Sequence, residues 1–179
     1  MKTIALFGGS FDPPHLGHLS VVNTALSSLD IDKVIVMPAY LNPFKSKVCA
    51  PPELRLKWLK KIFYSYNNVE VDDFEISCKR KVASLETVRH LKKRYEKIYL
   101  IIGADNLKSL DQWYGYDELK KLVTFVVASR DDIDIPSEYI LLHVDQPISS
   151  TSLREDIKKE FLPVDVAGEI EKFYKENNG

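Results

Sequence analysis

The sequence is short of several features that would commit it to a class. Only two of its 179 residues are cysteine, Cys49 and Cys78. That is too few for a disulfide framework or a four-thiolate zinc site, and their spacing matches no metal motif. They read as ordinary reduced thiols. No apolar run approaches the ~20 residues needed to cross a bilayer. The start, Met1-Lys2-Thr3-Ile4, lacks a signal-peptide core and runs straight into a strand pattern. A cytoplasmic protein without membrane contact is the expectation. Charge of either sign is not in excess: 25 Lys+Arg against 26 Asp+Glu give a net charge of -1. A protein that grips nucleic acid over its whole surface would be basic, so that class is disfavoured. Repeats, low-complexity stretches and linkers are also missing, so residues 1–179 are expected to form a single domain.

What is present is an alternation of short apolar runs and amphipathic stretches. Thr3–Phe7, Lys33–Met37, Lys97–Ile102, Val123–Ala128 and Tyr139–His143 read as strands, several apolar on both faces. Asn68–Asp72 alternates in the manner of an edge strand. Helical patterns span His15–Leu29, Pro52–Tyr66, Ser84–Tyr95, Tyr116–Leu122, Ser152–Phe161 and Val166–Lys175, with Asp165 as a candidate N-cap for the last. Alternating strands and helices imply βαβ crossovers, hence an α/β fold with a Rossmann-like, doubly wound parallel sheet. Ligands of such sheets bind beyond the carboxyl ends of the strands.

At the end of the first strand stands Gly8-Gly9-Ser10-Phe11-Asp12-Pro13-Pro14-His15-Leu16-Gly17-His18, which holds three of the chain's seven glycines. Gly8 and Gly9 offer unusual torsions and close ligand approach. A helix start just after them adds free N–H groups and a favourable dipole for an anion. His15 and His18, three apart, project from one face of the first turn. Two imidazoles beside an anion cradle suit a transition state with growing phosphate charge. No Gly-Lys-Ser/Thr follows and there is no G-x-G-x-x-G, so neither the Walker A loop nor the dinucleotide fingerprint applies. Near the other end, Ile148-Ser149-Ser150-Thr151-Ser152-Leu153-Arg154 precedes an amphipathic run. One of its hydroxyls is a natural N-cap. Arg154, one turn in, carries the planar fork suited to phosphate.

GGSFDPPHLGH resembles the H-x-G-H signature of the nucleotidyltransferase superfamily, and ISSTSLR resembles its second, I-S-S-T-x-x-R signature. The resemblance implies adenylyl transfer: a phosphate acceptor attacks the α-phosphorus of ATP and pyrophosphate leaves. It implies that His15, His18 and Arg154 are catalytic. Gly8, Gly9, Ser10, Phe11, Gly17, Gly103, Asp105, Ser149, Ser150 and Thr151 would line the ATP site. Mg²⁺, held mainly by the phosphates rather than by protein ligands, would accompany ATP.

The middle of the chain bears on the acceptor. Gly103-Ala104-Asp105 followed by Trp113-Tyr114 resembles the G-A-D…W segment of the bacterial nicotinate mononucleotide adenylyltransferases, whose Trp stacks on the pyridine ring. An electron-poor cationic ring sits well on an indole face. Asn42-Pro43-Phe44-Lys45 resembles that family's P-H-K loop, with Phe44 where a His is usual. Ala83-Ser84-Leu85-Glu86-Thr87 aligns with its S-Y-T-x-D-T segment, with Ala83 for Tyr and Ser84 for Thr. Arg55 and Ser129-Arg130 match as well. By this resemblance Lys45, Ser84, Trp113 and Tyr114 bind the acceptor, and the partners are ATP and nicotinate mononucleotide, with homo-oligomerisation left open. Other acceptors of the superfamily, nicotinamide mononucleotide or phosphopantetheine, are the alternative, as is a nucleotide-binding module without catalysis. The Lys79-Arg80-Lys81 run reads as a solvated loop, and His90 and His143 as surface and strand-end residues.

Overall fold

The computed structural model describes residues 2–40, 50–129, 134–144 and 148–177. Six strands make one sheet: β1 (Thr3–Gly9), β2 (Lys33–Pro38), β3 (Val69–Val71), β4 (Lys97–Gly103), β5 (Thr124–Ser129) and β6 (Ile140–His143). Their order is β3-β2-β1-β4-β5-β6 and every pairing is parallel. The chain goes outward in one direction from β1, then returns to β4 and goes outward in the other. The strand order therefore reverses between β1 and β4, and a crevice opens at their carboxyl ends.

The apolar alternation of the central strands sorts side chains to two faces. Ala5, Val34 and Val36 join one core layer, beneath α1 (Leu16–Ser28), α2 (Pro52–Ile62) and α7 (Ala167–Asn177). Ile4, Leu6, Ile35 and Met37 join the other, beneath α4 (Ser84–Leu91) and α5 (Tyr116–Leu122). Trp58 is fully enclosed in the first layer. β3 is short and half-buried, as its edge pattern implied.

Where the helices depart from the periodicity, the cause is local. The run expected over 152–161 breaks after α6 (Ser150–Glu155), because Asp156 turns extended, and resumes as a single tight turn at Lys159–Phe161. α2 and α4 stop several residues before their apolar patterns do. Phe63 and Tyr66 continue the core in a turn rather than a helix. The last helix starts at Ala167, two residues beyond Asp165. A further short helix, α3 (Phe74–Ser77), follows β3; four residues are too few to leave a periodic signal.

Candidate active site

The crevice at the end of β1 and β4 holds a cleft of about 540 Å³. Gly8, Ser10 and Phe11 supply one wall, and His15, Gly17 and His18 the start of α1. Gly103 and Asp105 come from the end of β4, and Ser149, Ser150 and Thr151 from the start of α6. Eleven of the thirteen residues assigned from sequence to catalysis or to ATP thus line one concavity. Gly9 and Arg154 are the two that do not.

Neither Gly8 nor Gly9 adopts the positive φ that glycine alone takes easily; that conformation falls on Phe11, at φ 51°. A left-handed backbone costs a side-chain-bearing residue roughly 1–2 kcal/mol. Packing holds it there. The Phe11 ring is 2% exposed, edge-on to Phe7 at 5.4 Å and to His18 at 4.7 Å. Gly8 instead leaves its part of the cleft wall without a side chain, and at Gly9 an added Cβ would meet the Phe11 ring at 3.4 Å.

His15 is the N-cap residue of α1, in extended conformation, and is buried. Its backbone N–H donates to Nδ1 of His18 at 3.1 Å. With Nδ1 occupied as an acceptor, a neutral His18 ring carries its proton on Nε2. The two rings stack with centroids 3.7 Å apart. The local sequence therefore fixes both imidazoles at the helix start.

The second signature is stitched to the first. Ser149 caps α6, its hydroxyl accepting the N–H of Ser152 at 3.1 Å. Ser150 Oγ donates to the Pro13 carbonyl at 2.9 Å. Arg154 is not itself among the lining residues: Nη1 donates to the Asp12 carbonyl at 2.6 Å and Nη2 approaches the Thr151 hydroxyl, which does line the cleft, at 3.3 Å. Its charge stands behind Thr151 at the rim.

Two residues that build the site did not stand out in the sequence. Arg55 matched the resembled family without a role; it is buried and its guanidinium donates to four carbonyls: Ser10 (2.6 Å), Ala39 (2.8 Å), Ala50 (2.9 Å) and Tyr40 (3.1 Å). It fastens the segments after β1 and β2 and the entry to α2 to one another. Asp12, 1% exposed, accepts the Ala50 N–H at 3.0 Å and the Tyr174 hydroxyl of α7. Its place between Phe11 and Pro13 in the first signature was the available signal.

The described residues assigned to the acceptor, Ser84, Trp113 and Tyr114, are not among those lining the cleft. Trp113 is half-buried against the second core layer and Tyr114 is exposed. Gly115 follows at φ +65°, where an added Cβ would meet Leu85 Cδ2 at 2.2 Å. That close approach brings the Trp113 turn against the start of α4, where Ser84 stands. Asp105 lies inside a short turn, Ala104–Asn106, that Gly103 caps. Lys45, with Asn42, Pro43 and Phe44, lies outside the described residues, as do Cys49 and Arg130.

With that geometry in hand, the chain can be set beside known proteins. The sequence pattern of the cytidylyltransferase-like family matches residues 6–156. A protein of Sulfurimonas denitrificans named probable nicotinate-nucleotide adenylyltransferase is 57% identical over 178 residues, covering 99% of this chain and 98% of its own. This chain belongs to the nicotinate-nucleotide adenylyltransferase family. A Campylobacter fetus protein of the same name is 50% identical over 98% of both chains. The fold is also that of Plasmodium falciparum nicotinic acid mononucleotide adenylyltransferase, solved in complex with NaAD, at a TM-score of 0.79 and 20% identity over the whole of both chains. Among the described residues no helix is long and apolar enough to cross a membrane.

Proposed function

We infer that the chain transfers the adenylyl group of ATP to nicotinate mononucleotide, giving deamido-NAD and pyrophosphate, a step of NAD biosynthesis. The observation that carries this reading is the convergence of both signatures on one cleft at the strand-order reversal, in a chain of this family.

The acceptor phosphate attacks the α-phosphorus in line, and the P–O bond to pyrophosphate breaks. No covalent enzyme intermediate is needed. The chain's work is to orient the two substrates and to meet the charge that grows on the phosphates. His18 offers Nε2–H as a donor at the helix start, with His15 beside it. Ser149, Ser150 and Thr151 hold the polyphosphate from the opposite wall, and Arg154 adds positive charge behind Thr151. Gly8, Gly9, Ser10, Phe11, Gly17, Gly103 and Asp105 shape the nucleotide site. Lys45, Ser84, Trp113 and Tyr114 take the acceptor, with Trp113 stacking on its pyridine ring.

Mg²⁺ neutralises part of the triphosphate charge when bound. The described residues hold no group of three His, Cys, Asp or Glu able to form a cage. Asp105 is a carboxylate on the cleft wall, which fits an ion held chiefly by phosphates with one protein carboxylate within reach.

The test is pyrophosphate release with ATP and Mg²⁺, run in parallel with nicotinate mononucleotide, nicotinamide mononucleotide and phosphopantetheine. The reading requires the largest kcat/KM with the nicotinate form. A preference for phosphopantetheine would overturn the acceptor assignment while leaving the phosphate cleft in place.

A further inference from the structure

The stretch between β1 and α1 is where the two walls of the phosphate cleft meet, and its carbonyls are taken from several directions. The Ser10 carbonyl accepts from Arg55, the Asp12 carbonyl from Arg154 at 2.6 Å and the Pro13 carbonyl from Ser150 at 2.9 Å. Both contacts from α6 thus land on consecutive residues. A rotation of that short stretch moves Arg154 and Ser150 together, and with them the wall that carries Thr151.

The side chain of Asp12 opposes such a rotation. It is buried, and its Oδ1 accepts the Ala50 N–H at 3.0 Å, from the entry to α2, and the Tyr174 hydroxyl, from α7. Tyr174 is buried too. Its ring stands edge-on to Phe173 at 5.0 Å and tilted against Trp58 at 6.2 Å, so core packing sets where the hydroxyl points. A buried oxygen that loses its donor is costly, which gives this bond its hold on the Asp12 side chain. α7 lies beyond residues 6–156, the extent of the family pattern, and Tyr174 does not line the cleft.

We propose that Tyr174 is a positioning residue for adenylyl transfer: acting through Asp12, it fixes the stretch on which the two phosphate-binding walls meet, so that α7 sets the alignment of the triphosphate from outside the cleft. The proposal rests on the reaction inferred above. Each wall keeps its own donors when the hydroxyl is lost, so ATP still binds. What is lost is the placement of one wall against the other, and in-line attack suffers from misplacement of even about 1 Å. The acceptor residues Ser84, Trp113 and Tyr114 stand on other segments, so KM for nicotinate mononucleotide does not follow the change.

The experiment compares the wild type with Tyr174→Phe, which deletes the hydroxyl and keeps the ring, and with Ile170→Val, which thins the packing of the same helix at a buried position. For each, kcat, KM for nicotinate mononucleotide, Kd for ATP and the urea midpoint are measured. Tyr174→Phe should lower kcat by about fivefold, with the Kd for ATP and the acceptor KM changed by less than about twofold. Ile170→Val should lower the midpoint and leave all three kinetic and binding constants near the wild type. In an Asp12→Ala background, Tyr174→Phe should cost nothing further in kcat, since the two side chains act through one bond. A wild-type kcat in Tyr174→Phe, an equal fall in Ile170→Val, or an undiminished loss on top of Asp12→Ala would overturn the proposal. Should Asp12→Ala not fold, the comparison of Tyr174→Phe with Ile170→Val decides alone. A wild type that binds ATP but forms no product with nicotinate mononucleotide would overturn the inferred reaction itself, and this proposal with it.

Discussion

The two sides of the site are held by different chemistry. Around the phosphate cleft, cationic and hydroxyl donors close onto main-chain carbonyls, most of them on other elements: Arg55 on four of them, Arg154 on Asp12, Ser150 on Pro13. On the side of the sheet that carries α4 and α5, side chains hold side chains. Thr87 meets Glu75, Arg89 of α4 forks onto Glu118 of α5, and Arg80 pairs with Glu86. Backbone carbonyls do not titrate, and buried bonds are poorly screened by salt. Carboxylates do titrate, and exposed pairs are screened. The carbonyl clamps around the cleft are therefore insensitive to pH, whereas the carboxylate pairs of α4 and α5 respond to pH and salt.

The sharpest break of that contrast is at Arg55. Replacing it by Met leaves four buried or half-buried carbonyls without their shared donor and should cost about 4 kcal/mol of stability, read by urea denaturation. If Arg55→Met unfolded at the wild-type midpoint, the cleft would not depend on this clamp.

His18→Ala should lower kcat by roughly 10²–10³, or about 3–4 kcal/mol, with the Kd for ATP little changed. The expected split is between turnover and binding, since the donor on Nε2 matters most when phosphate charge grows. An unchanged kcat would remove His18 from the chemistry.

How much of this was legible in the sequence follows from what local patterns encode. The two signatures announced the cleft because its walls are contiguous segments of chain, and β1, β2, β4 and β5 were legible because buried parallel strands read as apolar runs, whereas β3 showed only an edge alternation and β6 is mostly exposed. Arg55 and Asp12 could not be given their roles: their partners lie up to 162 positions away, and no periodicity reports a carbonyl that needs a donor. Glu75 was missed because a single carboxylate on a four-residue helix looks like any surface acid. For Arg154, spacing places it one turn into α6 but does not say that the Asp12 carbonyl accepts from its guanidinium.

Between α3 and α4, pH should show in stability. The Glu75 carboxyl ionises near 4.5 when unfolded and, pushed up by burial, near 7 in the fold. Between those values the folded state holds the extra proton, so stability falls as pH rises through that window and this group adds no further change above it. The loss is about 3 kcal/mol, and Glu75→Gln should abolish it in denaturation curves taken across the window. A wild type and variant with parallel pH dependence would contradict the burial of this acid.

The smallest expected effect is at Arg89. Its pair with Glu118 is roughly half-exposed on both sides, so Arg89→Ala should lower stability only slightly, and less in high salt. A large drop in the denaturation midpoint would mean that α4 and α5 depend on this pair far more than its exposure allows.

The most direct measurement is product analysis of one reaction containing ATP, Mg²⁺ and nicotinate mononucleotide, with ATP binding measured on the same preparation. The account predicts deamido-NAD and pyrophosphate in equal amounts. ATP bound with no adenylylated product would contradict it, leaving a nucleotide-binding module in place of an enzyme.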